Sequence, residues 1–289
     1  MKKISLVACI LILTTNCKTL EPISGNASTQ TPPPAIPTPP ISPSETTETL
    51  PVPTVDLSFV AEEFRGFVPE VSSRDFFLDY TGFVLEFDTL TRNAKWVSYL
   101  LCRANLGSGE ERASNFRMER RLGDYSPRDA AYRNSGFDRG HLAPAADMGY
   151  SAESMYDSFF LTNASPQVPG FNRGIWKRLE DQVRKFAADK DSIYVATGPI
   201  LQANLPAMGD SPIRIPEYFY KVILKKDTEN PQGIAFIMKN ESASGDLKAF
   251  AVSIDSVEVL TGINFFPLLS PLQESKAEGK FDVGFWFDN

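Results

Sequence analysis

The pattern of apolar and polar positions divides the chain into three stretches. Ile4 to Leu13 form an apolar run, a polar proline-rich stretch follows, and from near Val55 apolar residues recur with the periods of regular structure. Within that last stretch, 83–87 and 96–101 predict two strands joined by the polar turn Thr89 to Lys95. Further strands are predicted over 192–197, 218–225, 233–238 and 249–254. Helical period is clearest over 174–189, where Ile175, Trp176, Leu179, Val183, Phe186 and Ala187 form one apolar stripe. A shorter helix is predicted over 255–261, closed by Gly262. Strands and helices mix without regular alternation and no repeat is visible, which predicts one α+β domain over 56–289.

The first two stretches predict a route out of the cytoplasm. Lys2 and Lys3 precede an h-region too short to span a bilayer, and Thr14-Thr15-Asn16-Cys17 closes residues 1–17 as an export signal. It resembles a bacterial lipoprotein signal in which Cys17 is lipidated, although Asn16 replaces the usual small residue. Ordinary cleaved secretion is the alternative. Residues 18–55 carry ten prolines among Ser and Thr, with little to bury. Such a segment is expected to be extended or disordered, a tether reaching about 100 Å at ~3.1 Å per residue. The expected location is a bacterial membrane, periplasmic or at the cell surface.

Cysteine use is sparse. Only Cys102 belongs to the folded part, so packing rather than an internal disulfide must hold the core, with Cys102 read as a buried small residue. Net charge is −7, which argues against a wholly electrostatic nucleic-acid binder.

Residues 137–180 hold the densest chemistry: Asp138-Arg139-Gly140-His141, then Asn163, then Asn172, Arg173, Trp176 and Glu180. His141 is the only histidine in the chain. Its ordinary pKa of ~6.5 lets it accept a proton near neutrality. In extended backbone, Arg139 and His141 project from one face, and Gly140 between them has no side chain to obstruct the substrate backbone. Hydrolysis of a phosphodiester needs a base, charge stabilisation and a Lewis acid or proton donor. Asn172 and Glu180 would lie about 12 Å apart along a straight helix. That spacing suggests Asn172 as direct metal ligand and Glu180 as holder of metal-bound water. Few, all-oxygen ligands suit Mg²⁺. By itself Asn172 also reads as a helix N-cap, and Trp176 as core packing.

This segment resembles the DNA/RNA non-specific endonuclease family, the endonuclease G-like branch of the ββα-metal (His-Me finger) nucleases. The resemblance rests on the DRGH tetrapeptide, a later Asn and a Glu eight residues beyond it. It extends through Thr91 to Val97, Thr197-Gly198-Pro199 and Ile215 to Val222, covering nearly everything after residue 75. It implies a central antiparallel sheet flanked by helices. It implies His141 as general base, Asn172 as Mg²⁺ ligand (Mn²⁺ substituting), Glu180 orienting coordinated water and Arg139 stabilising the phosphate. Asn163 would support the site. An upstream phosphate-binding arginine is also implied, for which Arg112 and Arg117 are both candidates.

Seven arginines fall within residues 112–139. With Arg173, Lys177 and Arg178 they could form a local phosphate-binding stripe on an acidic protein. No module that would read base edges is visible, so DNA and RNA are the expected substrates without sequence preference. Two other readings compete: a catalytically inactive surface lipoprotein of the same fold, acting as adhesin or nucleic-acid receptor, and a phosphodiesterase on another exported phosphoester. The sequence leaves the oligomeric state open, a homodimer included.

Overall fold

The computed structural model describes residues 56–107, 109–225, 227 and 229–288. The export signal and the tether therefore lie outside the described residues, as does Cys17.

Among the described residues nine strands run in chain order: β1 Phe77–Asp79, β2 Val84–Asp88, β3 Asn93–Cys102, β4 Asp138–His141, β5 Ala164–Gln167, β6 Ser192–Pro199, β7 Tyr218–Lys225, β8 Gln232–Lys239 and β9 Ala251–Val252. Six α-helices accompany them: α1 Asp129–Tyr132, α2 Ala152–Ser158, α3 Lys177–Lys190, α4 Ile254–Thr261, α5 Pro271–Ala277 and α6 Val283–Phe287. Seven strands form one antiparallel sheet in the order β1-β2-β3-β6-β7-β8-β9, while β4 and β5 pair only with each other. The fold is α+β, with a central antiparallel sheet flanked by helices, as expected.

Alternation along the strands sorts the core into two layers. Leu85, Phe87, Val97, Tyr99, Val195, Phe219, Ile223 and Phe236 pack with the α3 residues Leu179, Val183, Phe186 and Ala187. Val84, Trp96, Ala196, Tyr220, Val222 and Ala235 pack on the other side with Ile254 and Val257 of α4. A strand buried on both faces needs apolar residues at nearly every position, which is why Phe219 to Leu224 read as one hydrophobic run.

Three expectations need correction. The segment 249–254 is mostly not a strand: Leu247–Phe250 form a 3₁₀ turn started by the Asp246 side chain, and only Ala251 and Val252 pair with β8. The first turn is also shorter than 89–95, because β3 already begins at Asn93. Arg92 takes φ 58° there and the Asp88 carboxylate accepts from the Thr91 amide, so the chain reverses early. Cys102, expected to be buried, is only half-buried at the end of β3; burial still pushes its thiol up, away from the reactive thiolate.

The β4–β5 pair is attached to the large sheet by asparagine side chains. Ser165 donates to Asn93 Oδ1 at 2.6 Å, and Asn93 Nδ2 donates to the Arg214 carbonyl at 3.1 Å. Asn240 donates to the carbonyls of Pro166 and Pro216 and accepts from the Val168 amide. Asn240 thus satisfies the Pro166 carbonyl of β5, a backbone group that no further strand pairs, Pro166 also lacking its own N–H.

The chain end closes the α3 layer. Trp286 of α6 is 1% exposed, packs on Phe186 with ring centroids 5.0 Å apart, and donates its indole N–H to the Gly233 carbonyl. Trp286→Ala is expected to lower unfolding free energy by about 3–5 kcal/mol, read from denaturant midpoints at constant m-value. A loss under about 1 kcal/mol would show that the last helix is not part of the cooperative core.

Candidate active site

The antiparallel register of β4 on β5 sets Gly140 opposite Ser165 and His141 opposite Ala164. Arg139 and His141 share one face, and both meet Phe116: the imidazole lies 4.9 Å from that ring, and the Arg139 guanidinium 5.6 Å from it. Asp138 and Gly140 share the other. A Cβ on Gly140 would lie 2.0 Å from Gln167 Oε1, so Gly140 makes room for a neighbouring side chain of the protein rather than for substrate. That revises the reading from sequence.

His141 is 8% exposed, held between Phe116 and an edge-on Phe159 at 4.8 Å. Its Nε2 has no hydrogen-bond partner among the described residues. Burial, with a smaller contribution from the charge of Arg112, pushes its pKa down to about 3. The imidazole is therefore neutral at physiological pH, the form a base must have.

The structure separates the two candidates for the upstream arginine. Arg112 packs 5.3 Å from the Phe159 ring, beside His141. Arg117 stacks 3.5 Å from Tyr156 and donates to the Tyr156 carbonyl. Its guanidinium is held there, so Arg112 is the one brought to His141. Arg139 Nε lies 2.7 Å from Asp129 Oδ1, and that carboxylate fixes where Arg139 points.

Asn163 is fully buried. It accepts from the Ala143 amide at 2.8 Å and donates to the carbonyls of Ala143 and Ser158. All its polar atoms are engaged with backbone. These bonds make it a positioning residue for the loop after His141.

Asn172 donates its Nδ2 to Asp138 Oδ2 at 2.9 Å, leaving its carbonyl oxygen as the atom that can face a cation. It lies in a wide π-type turn, Phe171–Trp176, interrupted at Gly174 (φ −104°, ψ −110°), ahead of α3. No side chain caps that turn or α3, so the N-cap reading of Asn172 fails. The 12 Å separation drawn from a straight helix does not apply either. Trp176 is core, as expected.

Arg173, read as a substrate contact, instead grips Asp138 with Nε at 2.8 Å and Nη2 at 2.6 Å. The basic stripe is also more neutral than its sequence suggests. Arg121 pairs with Asp79 and Glu119, Arg128 with Asp124, and Arg133 with Asp129.

Glu180 is carried on α3 toward Lys221 of β7, a lysine that the sequence reading missed inside an apolar strand. Lys221 is fully buried, 5.1 Å from the Trp176 ring, and its Nζ has no hydrogen-bond partner among the described residues. Burial pushes Glu180 up to about 7, opposed chiefly by Lys221. Burial likewise pushes Lys221 down to about 8, opposed chiefly by Glu180. Asp147, hydrogen-bonded to Tyr99 and Arg184, adds a further buried charge to this group. Asp138, Asp129 and Lys221 are visible in the sequence only as ordinary charged residues. Only Asp138, inside the tetrapeptide, carried a signal that could have found it.

Asn172 Oδ1 and the Glu180 carboxylate are hard oxygen donors, with no thiolate near them, and fit a divalent cation that keeps most of its waters.

Comparison with known proteins gives one picture. The model of the DNA/RNA non-specific endonuclease family matches residues 61–272. A nuclease of Nostoc is 32% identical over 212 residues, spanning 69% of this chain and 76% of its own. Human mitochondrial endonuclease G is 34% identical over 201 residues, spanning 64% and 68%. A crystal structure of an EndoG/EndoGI complex superposes with TM-score 0.65 and 27% identity, covering 73% of this chain and 94% of that one.

Two outcomes follow from the geometry. Asp138→Ala frees Asn172 and Arg173 together, so the metal concentration for half-maximal cleavage is expected to rise about 10–100-fold; an unchanged metal dependence would remove Asp138 from the site. Glu180 acts as a carboxylate, so activity is expected to rise with pH through about 7. Lys221 lowers that pKa, so Lys221→Met is expected to move the acidic limb to higher pH. A limb that stays put, or moves down, contradicts the pairing.

Proposed function

The chain belongs to the DNA/RNA non-specific endonuclease family, and from that premise we propose an exported, Mg²⁺-dependent endonuclease without sequence preference. Membership makes the protein a nuclease, a phosphodiester hydrolase dependent on a divalent metal, with the ββα-metal fold. Here β4, β5 and α3 are the ββα unit.

One observation carries the mechanism. The unpartnered Nε2 of His141 shares a strand face with Arg139, while Asp138 of the same strand holds Asn172. In hydrolysis, His141 Nε2 accepts a proton from the attacking water as its oxygen bonds to phosphorus. The bond from phosphorus to the departing oxygen breaks, and that oxygen takes a proton from solvent water. Arg139 and Arg112 face the negative charge that grows on the phosphate. Asn172 Oδ1 would hold a divalent cation and Glu180 would orient water around it; when bound, such an ion would supply Lewis acidity to the reaction. Mn²⁺, of similar hardness, substitutes for Mg²⁺. Contacts made to phosphate carry no base information, which supports activity on both DNA and RNA.

Export rests on the N-terminal sequence: Lys2, Lys3, the apolar run and Cys17, followed by the proline-rich 18–55. Cys17 carries a lipid in this reading, and the tether holds the nuclease away from the membrane. Among the described residues no helix is long and apolar enough to cross a membrane.

Purified protein is expected to degrade both plasmid and RNA in Mg²⁺, with activity abolished by EDTA and lost at least 100-fold in His141→Ala. Full activity in that variant, or none in the wild type with Mg²⁺ or Mn²⁺, refutes the assignment. A clickable palmitate analogue should label the wild type in cells and not Cys17→Ala.

A further inference from the structure

On the sheet face opposite α3, three acidic side chains converge where α4 meets the end of α5. Asp255 and Glu258 lie three residues apart on α4, and Glu278 caps the C-terminus of α5. A carboxylate oxygen from each lies within 4.8 Å of the other two. Among the described residues, no other group of three or more His, Cys, Asp or Glu side chains comes together in this way.

Acidic groups often cluster at surfaces without consequence, but Glu278 is not at the surface. It is 1% exposed, and neither carboxylate oxygen has a hydrogen-bond partner. A proton alone does not repair this. A neutral carboxyl still offers one O–H donor and one bare carbonyl oxygen, both needing partners. The charged neighbours that act on Glu278 are all acidic: Glu258, Glu274 and Asp255. Burial and these neighbours push its pKa up to about 9, and burial pushes Glu258 up to about 7. Glu258 gives Oε1 to the Phe265 amide at 2.8 Å, so its second oxygen is the one left for a ligand.

The geometry points to a second divalent-cation site, formed by Asp255, Glu258 and Glu278 and separate from the nuclease centre. A hard cation satisfies both problems at once, by completing the buried carboxylate and offsetting three like charges. Calcium is the ion the chemistry favours, because it takes several carboxylate oxygens in flexible geometry, whereas Mg²⁺ keeps most of its waters and is held by one or two carboxylates. The ion ties α4 to the end of α5, two helices whose residues Ile254, Val257 and Ala277 cover the second core layer. Its role is structural.

The site is tested by Ca²⁺ titration of the full chain carrying Asn172→Ala, which removes the contribution of an ion at the nuclease centre. Thermal unfolding and calorimetry are read with and without Glu278→Gln. At a ~100-fold excess of Ca²⁺ over Kd, Tm is expected to rise by about 5–10 °C with Glu278 present and not to move in Glu278→Gln. Glu278→Gln alone should cleave plasmid in Mg²⁺ within about twofold of wild type, which separates this site from the nuclease reaction. No Ca²⁺ effect with Glu278 intact, or an equal Tm rise in Glu278→Gln, overturns the proposal. If Glu278→Gln does not fold, Asp255→Asn, at an exposed position, must weaken Ca²⁺ at least ~10-fold; unchanged affinity overturns it.

Discussion

The site depends on one carboxylate. Asp138 receives Nδ2 of Asn172 and two nitrogens of Arg173, and it precedes Arg139 and His141 on the same short strand. Backbone alternation then does the rest. With Asp138 turned toward the start of α3, Arg139 and His141 must turn the other way, into the aromatic slot of Phe116 and Phe159. The Asn172 amide and the His141 imidazole are thus fixed relative to each other by a strand of four residues and one ion pair. Hydrogen bonds to an ionised carboxylate are the stronger kind, and Arg173 opposite Asp138 holds it well in the ionised range.

That strand would be a weak platform by itself, since a two-stranded pair is marginal in water. The protein compensates with buried amides. Asn93 and Asn240 anchor β5 to the large sheet, and Asn163 anchors the loop that leaves His141. Asn240 takes up the Pro166 carbonyl of β5, Asn93 receives the Ser165 hydroxyl, and Asn163 pairs with backbone of the loop. The catalytic face stays open because its support comes from side chains at the rear.

Charge is handled locally rather than globally. The chain is acidic, and Arg121, Arg128 and Arg133 of its arginine-rich segment are paired with nearby aspartates and glutamates. What is positive at the reaction centre is a small number of guanidiniums held against aromatic rings, with Lys221 buried beneath Glu180. Net charge is therefore a poor guide to phosphate chemistry here. On the reverse face of the sheet the same economy of charge is absent, and three carboxylates meet with no cationic side chain among the groups that act on Glu278.

Local patterning was sufficient for much of this. The alternation in 83–101 and 192–225, the apolar stripe of α3 and the spacing of His141, Asn172 and Glu180 were legible because each depends on neighbours a few residues away. Arg139 and His141 could be put on one face for the same reason. The stretch 249–254 misled because β-type residues there are captured by a turn that Asp246 begins. The choice of Arg112 over Arg117 needed the positions of Phe159 and Tyr156, some forty residues along the chain. Lys221 looked like an ordinary charged residue until the sheet placed it under Trp176, and Glu278 looked like a solvated helix end until α4 closed over it. The sequence determined which residue types carry the chemistry and which face of each element they occupy. Only tertiary packing decided which charges are paired, which are buried and which are left facing a cation, because those energies depend on partners distant in the chain and on exclusion of water.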